Sequence, residues 1–358
     1  MRIVVDVSPL SHPRTGIGNY IRGSLAGIVE AAAGRHEVLA FAPTSLKGPG
    51  RIRAALDGID VATTLLPLPA SHALRTVWSR AGRPPVETLA GRLDAFLFSE
   101  WMYPAQRRGV RATIFHDLVP LHHPEWCTPR TVAMHTRKAR NAAETCDVVV
   151  ANSRFTAADL EASLGVAPGR IVLGHPGLSP GLGPDGPRAA LPPETVLGLG
   201  TIEPRKNIAR LVEAWRLLRE ADDLGLTLAG GEGWGDRPDL ADARISRPGY
   251  VTDADVAALY RAATVFVYPS LYEGFGMPIV EAMACGTPVV ASSHPSLDDA
   301  CGEAAIRVEP TDPEAIADGI HEALARRDEL ARRGLEHARR FSWARTGAVI
   351  LEALERAA

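Results

Sequence analysis

Two glutamates with seven residues between them, Glu273 and Glu281, lie in the segment YEGFGMPIVEAMACGTPVVAS that runs from Tyr272 to Ser292. The run ahead of it, VFVYPS (Val265 to Ser270), is β-rich and apolar, as in a strand buried within a parallel sheet. Pro278 suits the first turn of a helix, where its missing N–H costs nothing. The acids therefore flank a strand–turn–helix junction, with Glu281 expected in the first helical turn. Gly274 and Gly276, with Phe275 between them and Met277 after, let backbone approach a ligand closely. Unpaired N–H groups at the helix start attract an anion. Phosphate near those N–H groups and hydroxyls near the carboxylates together describe a sugar nucleotide.

Other residues with chemical potential sit at similar junctions. HPRTGIGNYI (His12 to Ile21) follows the first strand, and Gly16 and Gly18 open its loop to a phosphate. A dinucleotide fingerprint needs a third glycine at position 21; Ile21 stands there and argues against a nicotinamide enzyme. TIFHDLVP (Thr113 to Pro120) is a buried strand ending in His116-Asp117, at the carboxyl end where such folds bind ligands. LGTIEPRKN (Leu199 to Asn207) leads into a helix, and Arg205 and Lys206 at its start are cations in the place the helix dipole disfavours. A diphosphate would compensate them. LAGGEG (Leu228 to Gly233) and PGYV (Pro248 to Val251) are glycine turns at strand ends. Asp253-Ala254-Asp255 looks like a D-x-D metal motif but precedes an apolar helix, and Asp253 reads better as an N-cap. No metal site is expected, since no His, Cys or carboxylate cluster has ligand spacing.

The Glu273–Glu281 segment resembles the E-x7-E signature of retaining glycosyltransferases of GT-B architecture, most closely glycosyltransferase family 4, and the other motifs follow in family order along nearly the whole chain. The resemblance implies an α/β fold of two Rossmann-like doubly wound domains facing an inter-domain cleft. It implies catalytic roles for His116, Arg205, Lys206 and Glu273, with His116 beside the transferred sugar and the two cations on the diphosphate. Gly16, Gly18, Gly231, Val251, Gly274, Phe275, Gly276, Met277 and Glu281 would bind substrate, Glu281 at the ribose diol and Val251 at the base. The expected reaction is metal-independent, cofactor-free transfer of a hexose, mannose from GDP-mannose being the first choice, to a hydroxyl of a glycan or lipid-linked acceptor. Retention without an enzymic nucleophile implies front-face attack. Many relatives carry arginine directly after the Leu-Gly pair, where this chain has Thr201. A sugar-nucleotide epimerase or hydrolase of the same fold, or a non-catalytic sugar-nucleotide-binding protein, are the alternatives.

The elements that must position these residues alternate β and α from end to end, which implies parallel sheets. At 358 residues, with 46% hydrophobic and 23% charged, the chain has room for two ordinary domains. The Pro/Gly-rich stretch Gly174–Glu194 reads as a linker. The expected domains are 1–177 for the acceptor and 178–341 for the nucleotide sugar, with 342–358 a helix crossing back to the first. Residues 1–177 carry 20 Lys and Arg against 14 Asp and Glu, whereas the whole chain has a net charge of −3. A basic first half suits an anionic partner or is solvated surface; nucleic acid is not expected. Only Lys47, Lys138 and Lys206 are lysines. Four scattered cysteines read as reduced thiols, two of them packed, in a cytoplasmic protein. Within SHALRTVWSRAGR (Ser71 to Arg83), Leu74, Val77 and Trp78 could share a helix face flanked by Arg75 and Arg80. Two readings stay open there: a peripheral contact with anionic lipid on the inner face of the membrane, or packing onto the first domain.

Overall fold

The computed structural model describes residues 1–12, 15–99, 101–234 and 238–358, and the side chains of all of these except 219–222, 253 and 254. The chain divides into two compact units, residues 1–177 with 342–358, and residues 178–341.

The first unit is built on seven parallel strands: β1 (Arg2–Asp6), β2 (Glu37–Thr44), β3 (Ala62–Pro67), β4 (Ala95–Phe98), β5 (Val110–Phe115), β6 (Val148–Ala151) and β7 (Ile171–Leu173). Their order is β3-β2-β1-β4-β5-β6-β7. The order reverses between β1 and β4, the switch point at which doubly wound sheets open a crevice. Unbroken apolar runs such as RIVVD and AFLF suit strands covered on both faces. One face packs on Ile21, Leu25 and Ile28 of helix Gly16–Ala32 and on Ile350 and Leu354 of helix Trp343–Ala357. The other buries Phe41, Phe96, Phe98, Trp78 and Leu160.

The C-terminal helix touches helix Gly16–Ala32 backbone to backbone. A Cβ on Gly27 would stand 1.9 Å from the Trp343 carbonyl oxygen, and one on Gly347 1.9 Å from the Gly27 carbonyl carbon. The Trp343 ring covers Gly23 and meets Tyr20 edge-on at 5.5 Å. Tyr20 in turn donates to the Gly174 carbonyl at 2.6 Å.

Helix Ser71–Ala81 corrects one expectation. Trp78 is buried against Phe41, and its Nε1 donates to the Pro84 carbonyl at 2.5 Å. Arg75, Trp78 and Ser79 form the inward face, while Leu74 and Val77 stay 45% and 61% exposed. At 100° per residue Trp78 stands a quarter-turn from Val77, and the large ring goes to the core.

The second unit holds β8 (Thr195–Leu199), β9 (Gly225–Ala229), β10 (Ile245–Gly249), β11 (Val265–Tyr268), β12 (Val289–Ser292) and β13 (Ile306–Val308), all parallel, in the order β10-β9-β8-β11-β12-β13. Its switch point lies between β8 and β11. Both sheet faces are covered, one by the cluster of Tyr260, Ile279, Met283 and Leu297, the other by Leu211, Trp215, Ile316 and Ile320. All four cysteines are free thiols, and three of them, Cys146, Cys285 and Cys301, are buried rather than two. Among the described residues no helix is long and apolar enough to cross a membrane.

Candidate active site

The richest polar cluster lies at the switch point of the second unit. Glu273 follows β11, and Arg205 and Lys206 follow β8 in the 3-10 turn Pro204–Lys206. Lys206 Nζ donates to Glu273 Oε1 at 2.6 Å and to the Tyr268 hydroxyl at 2.5 Å; the Tyr268 hydroxyl in turn donates to Glu273 Oε1 at 2.9 Å. Arg205 donates through Nη1 to Glu273 Oε2 at 2.7 Å and through Nη2 to Glu203 Oε1 at 2.8 Å. The backbone N–H of Glu273 donates to Ser296 Oγ at 3.0 Å. Glu273 is thus gripped on both carboxylate oxygens and on its backbone, and it is buried.

Burial pushes the Glu273 carboxyl up, but Arg205 and then Lys206 push it down harder and hold it at about 2. Burial lowers Lys206 against the pull of Glu273. The Tyr268 phenol, raised by burial and by Glu273, stays protonated.

The cations do not stand where the sequence put them. The following helix begins at Ile208, two residues past Lys206, because Asn207 between them caps it in a left-handed conformation with φ 56°. Asn207 Nδ2 is tied to the Pro269 and Pro310 carbonyls at 3.1 and 2.6 Å. The charges that compensate Arg205 and Lys206 are Glu203 and Glu273, so no bound diphosphate is needed to explain them.

Past Glu273 the chain turns through Gly274, Phe275 and Gly276 into helix Met277–Ala284. Gly276 caps this helix with φ 93°, and a Cβ there would meet Leu297 Cδ2 at 2.7 Å. Glycine is therefore required by the fold itself at this position. The Phe275 side chain belongs to the core, edge-on to Phe341 at 5.4 Å, and leaves only its backbone for a ligand. Glu281 lies beyond the first turn, because the helix starts at Met277, and its Oε2 accepts from the Tyr260 hydroxyl at 3.2 Å.

Gly231 and Val251 follow β9 and β10. The Gly231 carbonyl accepts from Ile202 N–H at 3.1 Å, and a Cβ there would meet nothing within 4 Å. Ile202, Gly233, Trp234, Leu240 and Arg247 line a nearby cavity of about 350 Å³. The next helix is capped by Thr252, whose side chain accepts from Asp255 N–H at 3.3 Å, so Asp253 is the first helical residue and not the cap. The Asp253 side chain lies outside the described residues, among which no group of three or more His, Cys, Asp or Glu could hold a metal ion.

In the first unit, His116 follows β5 and packs edge-on to Tyr20 at 5.1 Å. Its Nε2 is sealed from solvent and has no hydrogen-bond partner among the described residues. Burial, then the Lys138 and His135 charges, push His116 down to about 3, so the imidazole is neutral at physiological pH. Gly16 and Gly18 lie in the first turn of helix Gly16–Ala32, and a Cβ on either would meet nothing closer than 3.8 Å. Packing does not demand glycine at either position.

Sequence reasoning missed Tyr268, Ser296, Glu203 and Tyr260. Tyr268 carried a readable signal, a tyrosine closing a buried parallel strand where ligands bind. Ser296 carried none, since only strand order brings it beside Glu273.

Two doubly wound parallel sheets of this order are the GT-B architecture. The chain belongs to the family Glycosyl transferases group 1, whose model matches residues 193–326. It is 30% identical to the O-antigen chain mannosyltransferase B of Escherichia coli over 96% of both chains. It is also 30% identical to a D-inositol 3-phosphate glycosyltransferase of Salinispora tropica over 96% of this chain and 82% of that one. Among solved structures, the sucrose-phosphate synthase of Thermosynechococcus elongatus superposes with a TM-score of 0.72 at 22% identity, covering 99% of this chain and 98% of that one. The protein is a glycosyltransferase.

Proposed function

We propose that this enzyme transfers a hexose, mannose from GDP-mannose as the first choice, to a hydroxyl of a glycan or glycolipid, with retention of anomeric configuration and without a metal ion. The observation that carries this reading is the buried Glu273–Lys206–Arg205 network at the β8/β11 switch point. In it a carboxylate held ionised fixes two cations in place before any substrate arrives, which is the preorganisation that transition-state stabilisation requires. The choice of mannose follows the Escherichia coli relative. The two relatives are named for an O-antigen chain and for D-inositol 3-phosphate, and neither acceptor is transferred to this chain.

In this reading the second unit takes the donor. Glu281 accepts from the ribose diol, the backbone at Gly231 and Val251 meets the base, and Glu273 meets sugar hydroxyls. Lys206, Arg205 and the N–H groups of Gly276 and Met277 stabilise charge on the departing diphosphate. The first unit takes the acceptor. Neutral His116 offers Nε2 to the transferred sugar, and the departing phosphate takes the acceptor proton during front-face attack.

The test is incubation with GDP, UDP, ADP and dTDP sugars, with and without glycan acceptors, following free nucleoside diphosphate and the anomeric configuration of the product by NMR. Inverted product, or no turnover with any donor, overturns the reading. For location we propose the cytoplasm, with a membrane contact resting on exposed Leu74 and Val77 beside Arg80 rather than on Trp78. Failure to co-sediment with anionic vesicles at low salt ends that part.

A further inference from the structure

The two motif glutamates of the second unit have something in common beyond their spacing: each accepts a hydrogen bond from a buried phenol. Tyr268 closes β11, and its hydroxyl donates to Glu273 Oε1 at 2.9 Å while accepting from Lys206 Nζ at 2.5 Å. Tyr260 lies in helix Asp253–Ala262, and its hydroxyl donates to Glu281 Oε2 at 3.2 Å. Tyr260 is 0% and Tyr268 2% exposed. Phe266 stands between the two rings, edge-on to Tyr260 at 5.3 Å and stacked on Tyr268 at 5.8 Å. The Tyr260 backbone is tied as well, its carbonyl accepting from the Thr287 hydroxyl at 2.6 Å.

Packing alone does not call for these two oxygens. Phe266, in the same apolar cluster, fills its place without one, and a buried hydroxyl is costly unless it finds an acceptor. At both positions the acceptor found is a glutamate of the motif. Burial, and then the adjacent carboxylate, raises each phenol well above the usual tyrosine range, so both stay proton donors at physiological pH. A glutamate side chain has several rotatable bonds, and a fixed donor on one oxygen selects one orientation of the carboxylate. The second oxygen of Glu273 is held by Arg205. Tyr268, accepting from Lys206 and donating to Glu273, fixes that pair as a unit.

We propose that Tyr260 and Tyr268 are positioning residues for transfer, Tyr260 orienting the Glu281 carboxylate for the ribose and Tyr268 locking Glu273 to Lys206 for the sugar and the departing phosphate. The parts given to the glutamates rest on the proposed donor binding; the phenol bonds that orient them do not.

The experiment compares Tyr260→Phe and Tyr268→Phe in the full chain, each of which removes one oxygen and keeps the ring. Calorimetric titration with GDP, turnover of the donor and urea unfolding across pH are measured. Tyr260→Phe weakens GDP binding by roughly three- to tenfold and lowers kcat less; Tyr268→Phe lowers kcat at saturating donor by roughly tenfold and GDP affinity less. In a Glu281→Ala background, Tyr260→Phe has no further effect on GDP binding, because its action passes through that carboxylate. Unfolding gives a readout that needs no donor. Burial pushes Glu273 up, and Arg205, Lys206 and the Tyr268 hydroxyl together hold it at about 2. Glu203 faces Arg205, and His294 stands behind Ser296 Oγ at 2.8 Å. Without the Tyr268 hydroxyl the Glu273 carboxyl rises, so the stability it contributes, lost as pH falls, is exhausted at a higher pH in Tyr268→Phe and at the wild-type pH in Tyr260→Phe. Equal effects of the two substitutions on kcat and GDP affinity, a full further loss in the Glu281→Ala background, or an unmoved acid limb in Tyr268→Phe overturns the proposal. Should Tyr268→Phe fail to fold, the Tyr260 and Glu281 comparison decides. Loss of GDP binding in Glu281→Ala without loss in Tyr260→Phe counts against the positioning alone. A moved acid limb in protein that binds no nucleotide supports the Tyr268 bond and counts against the donor reading alone.

Discussion

At the exits of β8 and β11, Arg205 and Lys206 are met by Glu203 and Glu273; at the exits of β1 and β4, Arg75 feels Asp6 but is bonded to no carboxylate among the described residues. Both places are switch points of parallel sheets, and both bury a cation. The first is a closed set, two positive groups against two negative, and it stands without a ligand. If the proposed diphosphate binds there it meets no net charge, and its attraction would come from Lys206 shared with Glu273 and from helix N–H groups. The second is an open set, its Nε without an acceptor among the described residues. Counting cations in the sequence would rank the two alike. Only the positions of the carboxylates separate a network bonded on both carboxylate oxygens from a cation with no bonded carboxylate among the described residues.

The largest expected effect breaks the closed set. Glu273→Gln leaves the half-buried Lys206 without its carboxylate and Arg205 with Glu203 alone, and should cost about 3–5 kcal/mol of stability, read as a lower urea midpoint at unchanged slope. A midpoint like the wild type's would mean the network contributes nothing. The same carboxyl sets an acid limb. Because its value is lowered to about 2 from the usual 4.5, its contribution is complete above about 4.5 and is lost as pH falls toward about 2. The Glu273→Gln variant should lose that part of the limb.

Next in size, Lys206→Ala should raise the transfer barrier by roughly 2–4 kcal/mol with the circular dichroism spectrum intact, and Glu281→Ala should also cripple turnover. Near-normal turnover in both would remove them from the site. A smaller effect of opposite sign sharpens the contrast. Arg75→Met should leave stability unchanged or raise it by up to about 1 kcal/mol, because it removes an interior charge with no bonded carboxylate among the described residues. A loss as large as that of Glu273→Gln would show that Arg75 is compensated after all. The smallest expected effect is none: EDTA should leave transfer intact, and activity restored in proportion to added manganese would contradict the metal-free reading.

The central strands were legible because each is a short unbroken apolar run, and parallel burial on both faces imposes that pattern. β3 and β10, each at one edge of its sheet, are largely exposed, and ATTLLP and ISRPG carry little of that signal. The resemblance drew attention to Lys206, Glu273 and Glu281 because motif residues keep their order along the chain. It could not show that Glu273 closes an ion network with its neighbours across the sheet.

Trp78 teaches the same lesson locally. Its helix was readable, but which of its faces turns inward depends on Phe41, a residue from another strand. By itself, then, the sequence determined the alternation of elements, the parallel sheets, the family and the junctions at which polar residues gather. These are local consequences of period, glycine and proline. The tertiary structure alone decided which charges are paired, because pairing at a switch point joins residues 67 or 68 positions apart through strand order, and strand order is set by the packing of whole sheets.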